Sequence, residues 1–396
     1  MNERPRSAVR HFLPPALLLL LTPAALALDR LSAADPAGTE RLYSRSVYPA
    51  LARAVSALTR PLPFSLAELA VLAGVPLLAA LLIWRLFHLR CGGLRRLAAL
   101  LRRLLCAASA LFFAFTVLWG LNYNREPLAR SLGYTGAGPD KALLVSMLRG
   151  EAAKINALCP RLCWSGGVSV YPGGFRKMAV QVNAGYRVLA ARDSLIPGIA
   201  SRPKSLLLSP AMSYSSIEGI FIPFTYEPCL DAEYPAWALP FTMAHETAHL
   251  QGFAREDEAN FLAYLADCAN PDPYFQYSAR LTAYIYLSNA LYQTDAPAWE
   301  NLRTGLDGRV AADVSAYFSF GQRHEGKLQT ISEKVNDSYL KSQGQSGVVS
   351  YDAFVTLLAQ KARSGRSTEF PRGAPLHRRQ KKQEPRGASG CARGSL

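Results

Sequence analysis

The chain has 396 residues, of which 50% are hydrophobic and 18% charged, and its net charge is +15. The positive charge is local: residues 85–103 contribute +6 through six arginines, and residues 361–396 contribute +8. The rest of the protein is nearly neutral, so the composition does not provide the basic face that nucleic-acid binding requires, and no nucleic acid is expected as a partner.

Three apolar runs in the first 123 residues predict a membrane region. They cover residues 12–28, 66–84 and 104–121, and each approaches the ~20 apolar residues needed to cross a bilayer. The first run follows three arginines and contains an Ala-Leu-Ala sequence typical of a signal-peptidase site. It is either an uncleaved anchor, which we favour, or a cleaved signal peptide.

The six arginines lie between the second and third runs, which predicts that this loop faces the cytoplasm. The chain after residue 123 is then extracytoplasmic, and the expected location is the cell membrane, with several spans and the lipid bilayer as a partner. The stretch "HETAH" begins more than a hundred residues beyond the third run, so an active site inside the bilayer is not expected.

Residues 124–360 have the pattern of a folded, mainly helical domain with a small sheet. Helices are predicted over residues 240–251, 255–269 and 275–292, with Gly252 ending the first, and short strands in "SLLLS" and "GIFIPFTYEP". Lys204 and Glu227 are interpreted as surface residues. The four cysteines of this region allow disulfides or free buried thiols. Residues 361–396 have almost no large apolar side chain and are predicted to be a disordered basic tail.

The chemistry is concentrated in His245-Glu246-Thr247-Ala248-His249, the pattern HExxH. Histidines four residues apart lie on one face of a helix, so both imidazoles can bind one Zn²⁺. Glu246 follows the first ligand, where its carboxylate can accept the proton of a metal-activated water as general base. The motif is short and also occurs by chance in ordinary helices.

A catalytic zinc site needs a third protein ligand. Outside the motif, His324 is the one remaining histidine of the predicted folded part, so a carboxylate is favoured over a third imidazole. Glu256 and Glu258 both follow the Gly252 turn; Glu256 is preferred, with Glu258 as the alternative. The one that does not bind metal is expected to contact an imidazole N–H.

The motif and the following helix resemble the gluzincin metallopeptidases, including the membrane CAAX prenyl-protease type and the ImmA/IrrE type. In those families a Glu four residues before Asp or Asn is the third ligand, which corresponds to Glu256 with Asn260. The short link between His249 and Glu256 is closer to the metzincin pattern, although Arg255 stands where metzincins have His. The resemblance therefore implies a zincin-like α+β domain after the N-terminal transmembrane helices.

The segments "WGLNY", "PFT", "HETAHLQGFAREDEANF" and "YS" also resemble an uncharacterised family of bacterial membrane proteins, over residues 60–360. That resemblance implies a metallopeptidase without a known substrate. An oxyanion in such a reaction needs a donor. The candidates are Tyr277 and His324, and also Tyr226, Arg280 and Tyr284.

The sequence thus predicts a membrane-anchored, extracytoplasmic zinc metallopeptidase that hydrolyses peptide bonds in a peptide or protein substrate. The alternatives are a non-catalytic zincin that acts as a membrane-anchored binding or scaffold module, and a structural envelope protein without metal.

Overall fold

The computed structural model describes residues 15–87, 93–302, 305–343 and 351–365. Within them the chain is mainly helical with a small amount of sheet, as predicted. The helices are α1 (Leu21–Ala34), α2 (Pro36–Thr39), α3 (Tyr48–Thr59), α4 (Leu66–Phe87), α5 (Gly93–Leu118), α6 (Leu128–Ser131), α7 (Lys141–Leu158), α8 (Gly174–Arg192), α9 (Ser209–Ser213), α10 (Leu239–Leu250), α11 (Glu256–Ala269), α12 (Pro273–Thr294), α13 (Ala296–Leu302), α14 (Gly308–His324), α15 (Lys327–Ser342) and α16 (Tyr351–Arg363). The strands are β1 (Cys163–Ser165), β2 (Val168–Val170), β3 (Lys204–Ser205), β4 (Gly219–Ile222) and β5 (Glu227–Leu230).

Three helical stretches are long and apolar enough to cross a membrane, which confirms the three predicted apolar helices. They are Leu17–Ala34, Leu66–Arg85 and Leu97–Leu118. The first begins and ends later than the predicted residues 12–28, of which 12–14 lie outside the described residues. The third stretch starts earlier than predicted, because long arginine side chains are tolerated near the end of an apolar helix, and it ends earlier because α5 ends at Leu118.

The apolar helices differ in their packing. The Thr22 hydroxyl donates to the Ser109 hydroxyl at 2.7 Å, which donates in turn to the Leu18 carbonyl at 2.8 Å, so α1 and its preceding 3₁₀ turn lie along α5. In the described residues, α4 has no comparable packing against either helix. Its apolar side chains are exposed on all sides, which suits a helix surrounded by lipid.

The folded domain holds the first turn of α4 through a buried carboxylate. Glu227 on β5 accepts hydrogen bonds from the Ser65 hydroxyl and from the Leu66 and Ala67 amides, each at 3.1 Å. Lys204 on the neighbouring β3 donates to the Thr59 carbonyl at the end of α3. The interpretation of Lys204 and Glu227 as surface residues was therefore wrong. Both are buried, because backbone groups at the helix ends replace water as their partners.

The sheet of the domain has the order β3-β5-β4 and is shorter than the sequence predicted. Of "SLLLS", only Ser205 is in a strand, where it forms β3 with Lys204 before a turn into α9. The segment "GIFIPFTYEP" contributes β4 and the start of β5, which pair antiparallel. Tyr226 has a φ of 51° at the reversal between the two strands. The three predicted helices are found as α10, α11 and α12, and the largest buried core forms around them.

The cysteines that the structure describes are all free thiols, so the alternative of disulfides is not realised among them. Cys159 and Cys229 are buried, whereas Cys163 is exposed. The predicted disordered tail lies outside the described residues, except for the end of α16 and Ser364–Gly365.

Substitution of Glu227 tests how the domain holds α4. Glu227→Ala removes the acceptor of the Leu66 and Ala67 amides, and hydrogen bonds to a charged acceptor contribute about 1.5–3 kcal/mol each. We expect hydrogen–deuterium exchange in the segment around residues 60–70 to accelerate roughly tenfold or more. Glu227→Gln retains one accepting oxygen and should accelerate it less. Equal exchange in all three proteins would contradict this account.

Candidate metal centre

The two histidines of HExxH lie on α10, which is buried along nearly its whole length. Gly252 has a φ of 94°, a left-handed conformation that suits glycine, and it ends the helix as predicted. Its amide donates to the His249 carbonyl at 2.8 Å, and the Phe253 amide donates to the Ala248 carbonyl at 3.2 Å. This turn reverses the chain so that α11 begins with Glu256 beside the histidines.

Glu256, His245 and His249 converge on one point. The Nε2 atoms of the histidines are 3.1 Å apart, and the Glu256 carboxylate oxygens lie 3.1 Å from His245 Nε2 and 3.7 Å from His249 Nε2. Ligands at 2.0–2.1 Å around a tetrahedral zinc would be separated by about 3.3 Å. The spacing of the three donors therefore fits a zinc ion, and Glu256, not Glu258, completes the group.

The orientation of each imidazole is fixed by its other nitrogen. His249 Nδ1 lies 2.7 Å from the Phe253 carbonyl, which can only accept, so Nδ1 carries the hydrogen. His245 Nδ1 lies 2.8 Å from Oδ1 of Asn260, one turn after Glu256 on α11. Each ring consequently turns its Nε2 atom toward the Glu256 carboxylate. In this arrangement the two imidazoles and the carboxylate could bind one cation, which is a proton or a metal ion.

The pKa shifts of the three residues favour one positive charge among them. Burial lowers the pKa of His245, but the Glu256 carboxylate, with Glu246 and Asn260, outweighs it and raises the pKa to about 9. Burial raises the pKa of Glu256, but the two imidazoles lower it to about 2. Burial and the charge on His245 bring the pKa of His249 to about 4, although Glu256 opposes them. Without a metal ion, a proton on His245 supplies the charge.

Glu246 is buried next to the three ligands and packs against the sheet. A Cβ atom on Gly219 of β4 would lie 2.5 Å from Glu246 Oε1, so the carboxylate occupies the space left by this glycine. Glu246 Oε2 is buried and has no hydrogen-bond partner among the described residues. Burial raises the pKa of Glu246 to about 8, with Glu256 and Glu218 adding to the rise and His245 opposing it. A carboxyl group with a pKa near neutrality is suited to proton transfer.

Glu218 is a neighbour of the site that the sequence motifs did not indicate. Its carboxylate accepts hydrogen bonds from the Tyr317 hydroxyl on α14 and from the Thr242 hydroxyl on α10. Burial raises the pKa of Glu218, although both hydroxyls and His245 oppose the rise. Glu218 directly precedes Gly219, the first residue of β4, which lies against Glu246. The signal in the sequence was therefore this position next to a glycine at the start of a predicted strand.

Glu258 does not contact an imidazole, so that part of the expectation was wrong. Its carboxylate accepts from the Leu128 amide at 2.7 Å and from Arg255 at 3.2 Å, and it is buried on the other side of α11. Asn260, which corresponds to the Asp or Asn of the gluzincin pattern, lies against His245 instead. Residues two positions apart on a helix lie on different faces. Glu256 and Glu258 therefore point in different directions from α11.

The structure does not bring the predicted oxyanion donors to the three ligands. The Tyr277 hydroxyl is buried and donates to Asp313 at 2.7 Å, and the His324 ring packs against Tyr214 and Phe320 at the end of α14. The other three candidates also lie in packed surroundings. The Tyr226 hydroxyl donates to the Leu118 carbonyl, Arg280 pairs with Glu151, and Tyr284 is buried in the core.

Tyr123 and Tyr339, which the sequence did not indicate as site residues, lie close enough to Glu256 for its charge to act on both. Their hydroxyls are 2.9 Å apart. Burial raises the pKa of both tyrosines, and the Glu256 carboxylate contributes to the rise in each. Tyr123 belongs to the predicted segment "WGLNY", so its proximity to Glu256 was not foreseeable from α10 and α11 alone.

The site lies at the end of an apolar helix, although the motif is distant in sequence. Trp119, the residue after α5, packs edge-on against the His249 ring with 5.8 Å between ring centroids. The Tyr48 hydroxyl on α3 donates to the His249 carbonyl at 3.1 Å. The HExxH motif is therefore close to the end of α5 in space, although more than a hundred residues separate them in the sequence.

A comparison with known protein families matches residues 43–359 to the family described as "Protein of unknown function (DUF3810)". The match covers most of the chain, so the chain belongs to this family. It begins earlier than the resemblance over residues 60–360 and includes the segment that carries Tyr48. No curated protein and no solved structure matches the chain. The likeness to gluzincins remains a prediction.

Replacement of Asn260 tests how His245 is oriented. Asn260→Ala removes the acceptor that holds the His245 ring, and loss of such a partner typically weakens metal binding about 10–100-fold. We expect a loss of this size in zinc competition titrations with a chromophoric chelator. Asn260→Asp keeps an accepting oxygen and should retain tight binding. Equal affinity of the Ala variant and the unsubstituted protein would contradict the assignment.

Proposed function

We propose that the protein is a membrane-anchored, zinc-dependent peptidase that hydrolyses peptide bonds in a peptide or protein substrate. One observation carries the proposal. His245, His249 and Glu256 present three oriented donors with the spacing of zinc ligands, beside a buried carboxylate with a raised pKa. A catalytic zinc site uses three protein ligands and leaves a position open, and the side chain of Glu256 is 31% exposed, so the group is accessible from solvent.

Each residue of the site has a separate role in the proposed reaction. His245, His249 and Glu256 hold the ion, which when bound would supply a Lewis acid for the scissile carbonyl and lower the pKa of water. Glu246 accepts the proton from the attacking water and donates it to the leaving amine. Asn260 and the Phe253 carbonyl keep both imidazoles in the ligating orientation. Gly219 leaves the space in which the Glu246 carboxylate lies.

The contact between Trp119 and His249 supports hydrolysis close to the membrane surface. The arginines between α4 and α5 favour a cytoplasmic loop there, which puts the site on the extracytoplasmic side. The proposed location is accordingly the bacterial cell membrane, with a zincin-like domain over residues 124–360. Peptide segments adjacent to the membrane are the substrates that such a site reaches most easily.

Glu246→Gln is the direct test of catalysis. The amide cannot accept the proton, so we expect zinc stoichiometry to stay at one per chain while cleavage of a mixed peptide library, read by mass spectrometry, falls at least about 10²-fold. Glu233→Gln, at an exposed position nearby, serves as the control and should cleave normally. A wild-type protein that binds zinc and cleaves no peptide would instead favour a non-catalytic binding module.

Gly219→Ala tests the position of Glu246. The added methyl group would lie 2.5–2.9 Å from three atoms of the Glu246 side chain, so the carboxylate must move. A misplacement of about 1 Å can cost roughly 10²-fold in rate, and we expect such a loss in peptide cleavage with zinc content unchanged.

The matched control is Gly150→Ala on α7, where an added methyl group meets no atom within 4 Å. This variant should cleave like the unsubstituted protein. Full activity of Gly219→Ala would show that the position of Glu246 does not limit the reaction.

A further inference from the structure

Helix α15 carries a stripe of apolar side chains that the described part of the protein leaves largely exposed. Leu328, Ile331, Val335 and Tyr339 are spaced by three or four residues and therefore share one face. They are 50%, 58%, 65% and 36% exposed, respectively. Leu340 is the one residue of α15 that is buried. Most of the stability of a helix in a protein comes from packing of its apolar face, so this face of α15 needs a partner.

The C-terminal end of α15 is attached near the end of α5. The Tyr339 hydroxyl is hydrogen-bonded to that of Tyr123 at 2.9 Å, and the two rings pack edge-on with 6.2 Å between centroids. Tyr123 follows Leu118, the last residue of α5, by five positions in the chain. This end of α15 therefore lies near the membrane end of one apolar helix.

The N-terminal end of α15 is connected to the start of α4. His324, just before α15, packs against Tyr214 at the end of α9 with 4.9 Å between ring centroids. Leu208, just before α9, donates its amide hydrogen to Glu68 Oε1 in the first turn of α4 at 2.8 Å. Contacts at one end of α15 and just before the other therefore lead toward the same end of the apolar helices, which favours a position of α15 along this boundary.

The charges beside the stripe suit a lipid surface. Lys327, Lys334 and Lys341 recur every seven residues along one flank of α15, and all three are exposed. Interfacial helices place apolar residues among the acyl chains and lysines toward the phosphate groups, and tyrosine is enriched at this depth.

We propose that α15 lies on the surface of the lipid bilayer, with Leu328, Ile331, Val335 and Tyr339 inserted at the boundary between headgroups and acyl chains. The partner is the bilayer that surrounds α4 and α5. Through Tyr339 and Tyr123, the same helix connects the lipid surface to the surroundings of Glu256. The inference concerns α15 alone and stands whether or not the metal centre hydrolyses peptides.

The test uses the full chain in vesicles of phosphatidylcholine and phosphatidylglycerol, with one fluorescent amino acid introduced by codon suppression. Val335 is the position on the stripe, and Glu333, exposed on the opposite face, is the matched control. Because α15 has few contacts with the domain, neither substitution should disturb folding, and an unchanged melting temperature verifies this.

We expect a doxyl-labelled lipid to quench the fluorophore at Val335 several-fold more than at Glu333, and aqueous iodide to show the reverse preference. Equal quenching of both positions by iodide would mean that α15 is exposed to water and would overturn the proposal. Protection of Val335 from both quenchers would mean that a second copy or another protein covers the stripe, which would also overturn it.

Discussion

Two hydrogen bonds made by the Nδ1 atoms of the imidazoles determine which way the Nε2 atoms of this site point. His249 donates to the Phe253 carbonyl and His245 pairs with Asn260, so each ring turns its other nitrogen toward Glu256. If either ring rotated, its N–H group would face the other donors and a cation could not be held. The Gly252 turn supplies the first acceptor by bringing Phe253 under α10, and the start of α11 supplies the second.

This turn is also held from the side of the apolar helices. Arg125 is buried, pairs with Glu40 at 2.8 Å and donates to the Gly252 carbonyl at 2.7 Å. The Tyr48 ring packs against Gly252, where a Cβ atom would lie 2.9 Å from it. A buried ion pair that also binds backbone fixes orientation more than it adds stability. The metal centre and the end of α5 are therefore built as one unit, although they are far apart in sequence.

Local chemistry was predictable from the sequence, and distant partners were not. The spacing of His245 and His249 and the glycine at 252 define helix and turn without other information. The turn left both Glu256 and Glu258 as candidates, and the gluzincin pattern that ends in Asn260 corresponds to Glu256. No prediction was made for the π-helical segment Glu40–Val47 or for α3. These elements support the site through contacts such as that of Tyr48 with His249, about 200 positions later, which the sequence does not reveal. Glu227 and Lys204 were misread for a related reason: a charged residue in a short strand is typical of a surface unless the helix ends that it binds are known.

The acids around α10 bear on the charge that the proposed metal ion would supply. Glu218, Glu246 and Glu256 are close enough that their charges affect one another or the same imidazole. A single proton on His245 offsets one negative charge, while burial raises the pKa of Glu218 and brings the pKa of Glu246 to about 8. A divalent ion at the three donors would add a second positive charge and favour ionised Glu246, the form that can accept a proton. An ion held by the three oriented donors would thus also prepare Glu246 to act as a base.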